Sequence, residues 1–338
     1  MYAKIITNWN KQKPSLSIMR KTLKEISSDP YHGVYFIGTT PPKQKTDIDD
    51  VSSIADKLLA RLEEIDYDGF IVYDIQDESS RIDKPRPFPF MHTHDPRLYA
   101  KLLMNKSDRP VITYKSVSQR NEDDFLTWLK EAWHQFEIRD LVLVGSPAAT
   151  GDIQLSLAGA YEAMGKQAHT FYVGGVTIAE RHAKKGDEHT RLLHKTSQGC
   201  EYFITQAVYN AQATIDMLSR YAHACREEGR KPQRIILTFS PCGSAKTLEF
   251  IDWLGVSVPE ATSLRILNAN KPLKESISIC YNNLLQILEA CLPLGIPLGL
   301  NIESLTNRKE EIDASILLYK LLKATMDKKL AEQQLDKL

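Results

Sequence analysis

An α/β chain folded as a (β/α)8 (TIM) barrel, with a helical extension at its N-terminus, is the architecture this sequence predicts, and three observations point to it. Short β-branched and aromatic apolar runs recur eight times along the 338 residues, longer stretches of helical periodicity separate them, and the runs are mostly apolar rather than alternating. Uniformly apolar strands suit a parallel sheet buried on both faces, and each parallel pair needs a crossover of a dozen or more residues, usually a helix. Eight such units favour ring closure over an open doubly wound sheet, the alternative that periodicity leaves standing. Length also admits two average domains, but a barrel needs about 250 residues and tolerates insertions. No low-complexity linker divides the chain, so residues 1–30 are assigned to the extension and residues 31–338 to one barrel domain.

The elements run in order along the chain. Residues 34–37 form the first strand, and the helix over 49–65 carries Val51, Ile54, Leu58, Leu59 and Leu62 near a 3.6-residue period. The second strand is 70–74. Its helix, 97–104, opens at Asp95-Pro96, an N-cap with proline at the first helical position. Strand 111–114 precedes helix 122–136, strand 141–144 precedes helix 153–164, and strand 169–173 precedes helix 188–197. Strand 202–205 leads to helix 211–228, and strand 235–239 to helix 245–254. Helix 273–290, strand 296–300 and helix 309–326 complete the pattern, with 327–338 as a frayed or solvent-facing end. The longest irregular stretch, 76–96, holds Arg81, Lys84 and Arg86; beside a strand end such a loop reads as a lid or binding loop over the active face.

Forty-three basic side chains balance 43 acidic ones, which removes the sequence-independent attraction to nucleic acid and anionic membranes. A small-molecule partner is therefore expected, with neither nucleic acid nor membrane; a homo-oligomer stays open. The five cysteines are widely spaced without a CxxC pair, which argues against a disulfide framework and for a reducing, cytoplasmic location. The N-terminus does not resemble a signal peptide, and no apolar run approaches the roughly 20 residues of a spanning helix.

Several motifs are candidates for chemistry. His92-Thr93-His94-Asp95 has ligand-type residues but no second cluster to complete a metal sphere, so no metal is assigned. Two stretches mimic phosphate loops: Gly145 to Asp152 has aspartate where lysine is required, and Gly243-Ser244-Ala245-Lys246-Thr247 lacks the upstream glycine. Either could still turn backbone N–H groups toward an anion. No GxGxxG follows a strand, so a Rossmann dinucleotide site lacks support. Polar groups at strand ends carry more weight: Asp74 and Gln76, Thr113 and Lys115, Ser146, Thr205 and Gln206, Asn301 and Glu303 would converge on one mouth if the barrel closes.

The stretch Gly199-Cys-Glu-Tyr-Phe-Ile-Thr-Gln206, preceded by Lys195 and by Glu180-Arg181-His182, resembles the methylenetetrahydrofolate reductase family, where a helix ending K-x-x-x-G leads into a strand ending I-T-Q. Tyr35 to Pro42, Leu143 to Pro147 and Leu300-Asn301 align more loosely with its first strand, its R-G-D element and a late L-N. The resemblance implies a barrel binding FAD at the strands' C-terminal ends, with NAD(P)H as co-substrate and a folate or pterin one-carbon carrier as hydride acceptor. It further implies that His182 and Lys195 contact the flavin's phosphates or nearby atoms, that Glu188 lies where a ribose-binding carboxylate would, and that Gln206 faces the flavin ring and holds substrate; Thr113, Gly145 and Ser146 are assigned to the cofactor side and Asn301 to substrate. This sequence has Gly38 where the family has its general acid, and Ser146 for the aspartate of R-G-D. Loss of a positioned acid costs about 10²–10⁴-fold in rate. Asp74 and Glu303 are the carboxylates proposed to replace it. The same residues support two other readings: a flavin-independent one-carbon enzyme, and a non-catalytic folate-binding paralogue.

Overall fold

A computed structural model describes residues 21–79, 83–146 and 153–335. Its eight strands, β1 (Val34–Thr39), β2 (Gly69–Val72), β3 (Val111–Ser116), β4 (Asp140–Val144), β5 (Tyr172–Thr177), β6 (Tyr202–Ala207), β7 (Arg234–Phe239) and β8 (Leu298–Glu303), close into a barrel in sequence order. The helices are α1 (Leu23–Ile26), α2 (Ile48–Leu62), α3 (Pro96–Ser107), α4 (Glu122–His134), α5 (Leu157–Gly165), α6 (Ala179–Lys185), α7 (Glu188–Ser197), α8 (Ala211–Glu227), α9 (Ala245–Trp253), α10 (Glu260–Asn268), α11 (Pro272–Cys291) and α12 (Lys309–Leu335). The (β/α)8 architecture expected from the apolar strand runs is thus the one observed.

The described residues divide into two compact units, one drawn from 21–26, 38–79, 90–146 and 153–174, the other from 27–37, 83–89 and 175–335. In the first, β2, β3 and β4 run parallel, with Val72 beside Thr113 and Thr113 beside Leu141. In the second, β6, β7 and β8 run parallel; Thr238 pairs with Asn301, and a bulge falls between Ile204 and Ala207.

Of the extension assigned to 1–30, residues 1–20 lie outside the described ones. Its described part contains α1, which a capping box closes: the Thr22 N–H donates to Glu25 Oε2 (2.7 Å) and the Glu25 N–H to Thr22 Oγ1 (3.2 Å). Strand five starts three residues later than the apolar run suggests, because His169 stacks on Trp133 and the Tyr172 N–H makes a bond to Arg139 O (2.9 Å). It then continues through Gly174 and Gly175, beyond the expected end at 173. Strand eight also moves toward its polar end, Asn301 to Glu303. Helix α5 begins at Leu157 rather than at 153, since Ser156 caps it through Gly159 N (3.0 Å). Two helices, α6 and α10, are too short or too thinly apolar to stand out; α10 buries Ile266 alone.

The end of α12 is docked rather than frayed. Met326 and Leu330 are buried, Asp327 accepts from the Tyr35 hydroxyl, and Gln333 Nε2 donates to Leu292 O (2.8 Å). Among the described residues one segment, Pro272–Leu294, is long and apolar enough by composition to cross a membrane, contrary to the expectation from run length. Its Ile277, Cys280, Leu284, Ile287 and Leu288 are buried within the fold, as in a core helix.

Candidate functional site

In the first unit, Asp74 follows β2 and accepts from Gln76 Nε2 (2.7 Å), from the Ser116 N–H (2.8 Å) and from Lys115 Nζ (3.2 Å). The Lys115 ammonium lies 5.4 Å from the ring centre of Trp128 on α4, so this ion pair occupies the helix side of the barrel wall. Burial pushes the Lys115 pKa down, and the Asp74 carboxylate pulls against that shift. Successive strand side chains alternate between faces. Thr113 therefore shares the helix-side face with Lys115, fully buried, its hydroxyl without a hydrogen-bond partner among the described residues. The opposite face carries Tyr114, whose ring meets that of Tyr73 edge-on at 4.8 Å. Strand-end polarity does not reveal this aromatic pair; its signal in the sequence is two tyrosines directly ahead of Asp74 and Lys115.

Gly145 and Ser146 follow β4, half-buried; a methyl group on Gly145 would sit 3.3 Å from Leu157 Cβ. The remainder of that loop, 147–152, lies outside the described residues. The His92–Asp95 motif is consumed locally: His94 Nε2 lies 2.9 Å from Thr46 O, and Asp95 caps α3 through the Arg97 N–H (2.8 Å) and grips the Arg97 guanidinium.

In the second unit, Glu188 opens α7 with its side chain wholly inaccessible. It accepts from the Ile178 N–H (3.0 Å), the Thr177 hydroxyl (3.3 Å) and Arg181 Nη1 (2.9 Å). Lys195 runs across Gly175, where a methyl group would come within 3.2 Å of its Cδ and 3.3 Å of the Phe203 ring. Its ammonium ends on Val176 O (2.5 Å), and burial lowers its pKa against the opposing pull of Glu188. The helix lysine thus needs a glycine on the strand beneath it.

His182, on α6, is half-buried and meets His189 edge-on at 5.4 Å; its Nδ1 is buried without a partner among the described residues. Burial lowers the His189 pKa, as do the neighbouring His182 and Arg220. Glu180 is buried, and that burial raises its pKa, partly offset by the Ser257 N–H. Because the folded-state value lies above the unfolded one, Glu180 contributes stability below the ordinary carboxylate range that is lost as pH rises through the folded value. Denaturant titrations of wild type and Glu180→Gln are therefore expected to diverge across that acidic window, wild type losing stability with rising pH relative to the variant. Parallel curves would show that the carboxyl is not buried.

The polar ends of β6, β7 and β8 form a connected ladder. Thr205 Oγ1 accepts from the Thr238 N–H (2.9 Å) at the bulge, and Asn301 Nδ2 donates to Thr238 Oγ1 (3.2 Å). Phe203 meets Tyr221 of α8 edge-on at 6.4 Å, which turns Tyr202 and Ile204 to the other face; Gln206 sits half-buried in the bulge. Two residues beyond Asn301 on the same face is Glu303, also half-buried. The structure thus gathers Gln206, Asn301 and Glu303 at the ends of one run of neighbouring strands, while Glu188 and Lys195 belong to the β5–α7 corner.

The second phosphate-loop mimic holds an anion of the chain's own. Glu311, buried on the first turn of α12, accepts from the Gly243 N–H (3.1 Å), from Thr247 Oγ1 (2.8 Å) and from the Thr306 hydroxyl. An external anion at Gly243–Thr247 would have to displace it, which corrects the sequence expectation. In the first unit a surface depression lined by Leu59, Leu62, Ile65, Tyr67 and Arg109 lies near the N-terminal ends of β2 and β3.

No protein-family model and no curated protein matches the chain. Among solved structures, an uncharacterized protein from Clostridium thermocellum that binds two copies of 5-methyl-5,6,7,8-tetrahydrofolic acid is 36% identical, with a TM-score of 0.76 over 88% of this chain and 97% of that one. Xanthomonas albilineans dihydropteroate synthase is 11% identical over 87% and 94% of the two chains, with a TM-score of 0.43. N-(5'-phosphoribosyl)anthranilate isomerase from Pyrococcus furiosus is 13% identical over 88% and 99%, also at 0.43.

Proposed function

Because the chain belongs to the family of that Clostridium thermocellum protein, we propose that it binds a reduced folate of the 5-methyltetrahydrofolate class at the C-terminal ends of its strands. The observation that carries this reading is the identity of 36% sustained over 97% of a protein that binds such a folate. The strand-end chemistry supports it. A pterin is a flat ring with a hydrogen-bonding edge, and Asn301, Gln206 and Glu303 offer amide and carboxylate groups to such an edge.

Calorimetric titration of the full chain with 5-methyltetrahydrofolate tests the proposal. Wild type is expected to bind, and Asn301→Ala to bind about tenfold more weakly, the worth of one buried hydrogen bond. Absence of binding by wild type, checked by a thermal shift that should reach about 2.7 kcal/mol of added stability at 100 times the dissociation constant, would remove the proposal.

The finer reading, hydride transfer from NAD(P)H through FAD to a folate, draws on the Lys195–Gly199–Gln206 spacing. The residues assigned to the flavin do not fit it well. Glu188 is sealed from solvent by three donors, the Lys195 ammonium is committed to Val176 O, and Gly38 and Ser146 stand where the family's acidic groups are expected. Asp74, one proposed replacement acid, lies on the helix side of the wall with Lys115; Glu303 is the better placed of the two. We therefore favour folate binding without a flavin step. Yellow protein whose flavin absorbance bleaches with NADH or NADPH would restore the reductase reading; colourless protein that binds folate supports ours.

A further inference from the structure

We propose that His134 and His169 form a two-histidine clamp for a divalent transition-metal ion of the zinc, nickel and copper class, on the outer surface of the first unit. Their Nε2 atoms lie 2.9 Å apart, with the rings at 82°. Two metal–imidazole bonds of about 2.0–2.1 Å span about 2.9 Å at a right angle and about 3.3 Å at the tetrahedral angle, so the ion needs a movement of at most a few tenths of an ångström.

Both rings are presented by anchored parts of the chain. His134 ends α4, and His169 stacks on Trp133 (4.8 Å, 9° between planes), whose ring also carries the Arg139 guanidinium at 3.7 Å. Among the described residues neither imidazole has a carboxylate partner within ion-pair distance, and His134 is exposed, which leaves water to fill the remaining coordination positions. Among the same residues no group of three ligating side chains occurs, so the site is bidentate and exchangeable rather than a closed structural centre. In the metal-free contact one ring must donate through Nε2–H; on metal binding that ring carries its proton on Nδ1, and both Nε2 lone pairs face the ion.

The test is calorimetric titration of tag-free full-length protein with Zn²⁺ and with Ni²⁺ near neutral pH. The expected result is one ion per chain, with affinity falling about tenfold or more in His134→Asn and in His169→Asn. His182→Asn, which alters a second close histidine pair among the described residues, should leave that affinity unchanged. Binding that survives both clamp variants, or that falls only in His182→Asn, overturns the proposal. So does a wild-type protein that takes up no metal, in which the two rings share a proton and nothing more.

Discussion

Replacing Glu188 with alanine is expected to lower the unfolding free energy by about 3 kcal/mol or more, the cost of removing one partner from a buried ion pair. The side chain is wholly inaccessible, and its loss strands the Ile178 N–H and the Thr177 hydroxyl while leaving Arg181 without its carboxylate. Arg181 keeps part of its side chain in solvent, so most of the penalty falls on the backbone N–H and on the cavity. Glu188→Gln keeps the volume and is expected to be milder. Chemical denaturation measures the loss. The same pair of variants separates the two roles open to this residue: if Glu188 held a cofactor ribose, stability would stand and ligand affinity would drop.

Gly299→Val should be at least as damaging. Gly299 has no unusual backbone conformation; it is glycine because β8 passes too close to the start of β1. A methyl group there would lie 2.8 Å from Val34 O, closer still to Val34 Cγ2, and 3.4 Å from Ile236 Cγ1. One of those contacts is with backbone, which cannot rotate away. Overpacking typically costs about 1–3 kcal/mol, and a clash with a strand carbonyl belongs at or beyond the upper end. The expected observation is loss of soluble protein or a sharply lowered Tm. A variant as stable as wild type would mean that Val34 and Gly299 are not neighbours, and that the last strand packs otherwise than described.

Much of the fold was legible because apolar runs and helical stripes are local signals. The eight strands and the long helices were found in order from the spacing of residues such as Val51, Leu58 and Leu62, even where their ends were misplaced. Boundaries failed where a tertiary partner overrode local preference. The expected strand stops at 173, yet Gly174 and Gly175 lie within β5, and Gly175 is the floor over which Lys195 passes. The last turns of α12 read as a solvated end because their charges dominate; Leu330 and the contacts of Asp327 and Gln333 dock them.

The candidate site was legible only in part, for a reason of symmetry. Composition at a strand end announces polar groups, but a one-residue step decides between the two faces of the wall. Asp74 and Thr113 carry the polar chemistry yet lie with Lys115 on the helix side, whereas Tyr73 and Tyr114 share the other face. Glu311 could not have been tied to Gly243 from sequence, since 68 residues separate them and no periodicity links them.

By itself the sequence determined the class of the molecule: eight apolar strands, intervening helices, a balanced charge, and a cluster of polar groups at strand ends. These are properties of short windows and of composition, and hydrophobic burial acts on them wherever the rest of the chain goes. The tertiary structure alone decided which carboxylates are walled in and which stand at strand ends. That choice turns on distances between residues far apart in the chain, and the desolvation of a charged group depends on those neighbours.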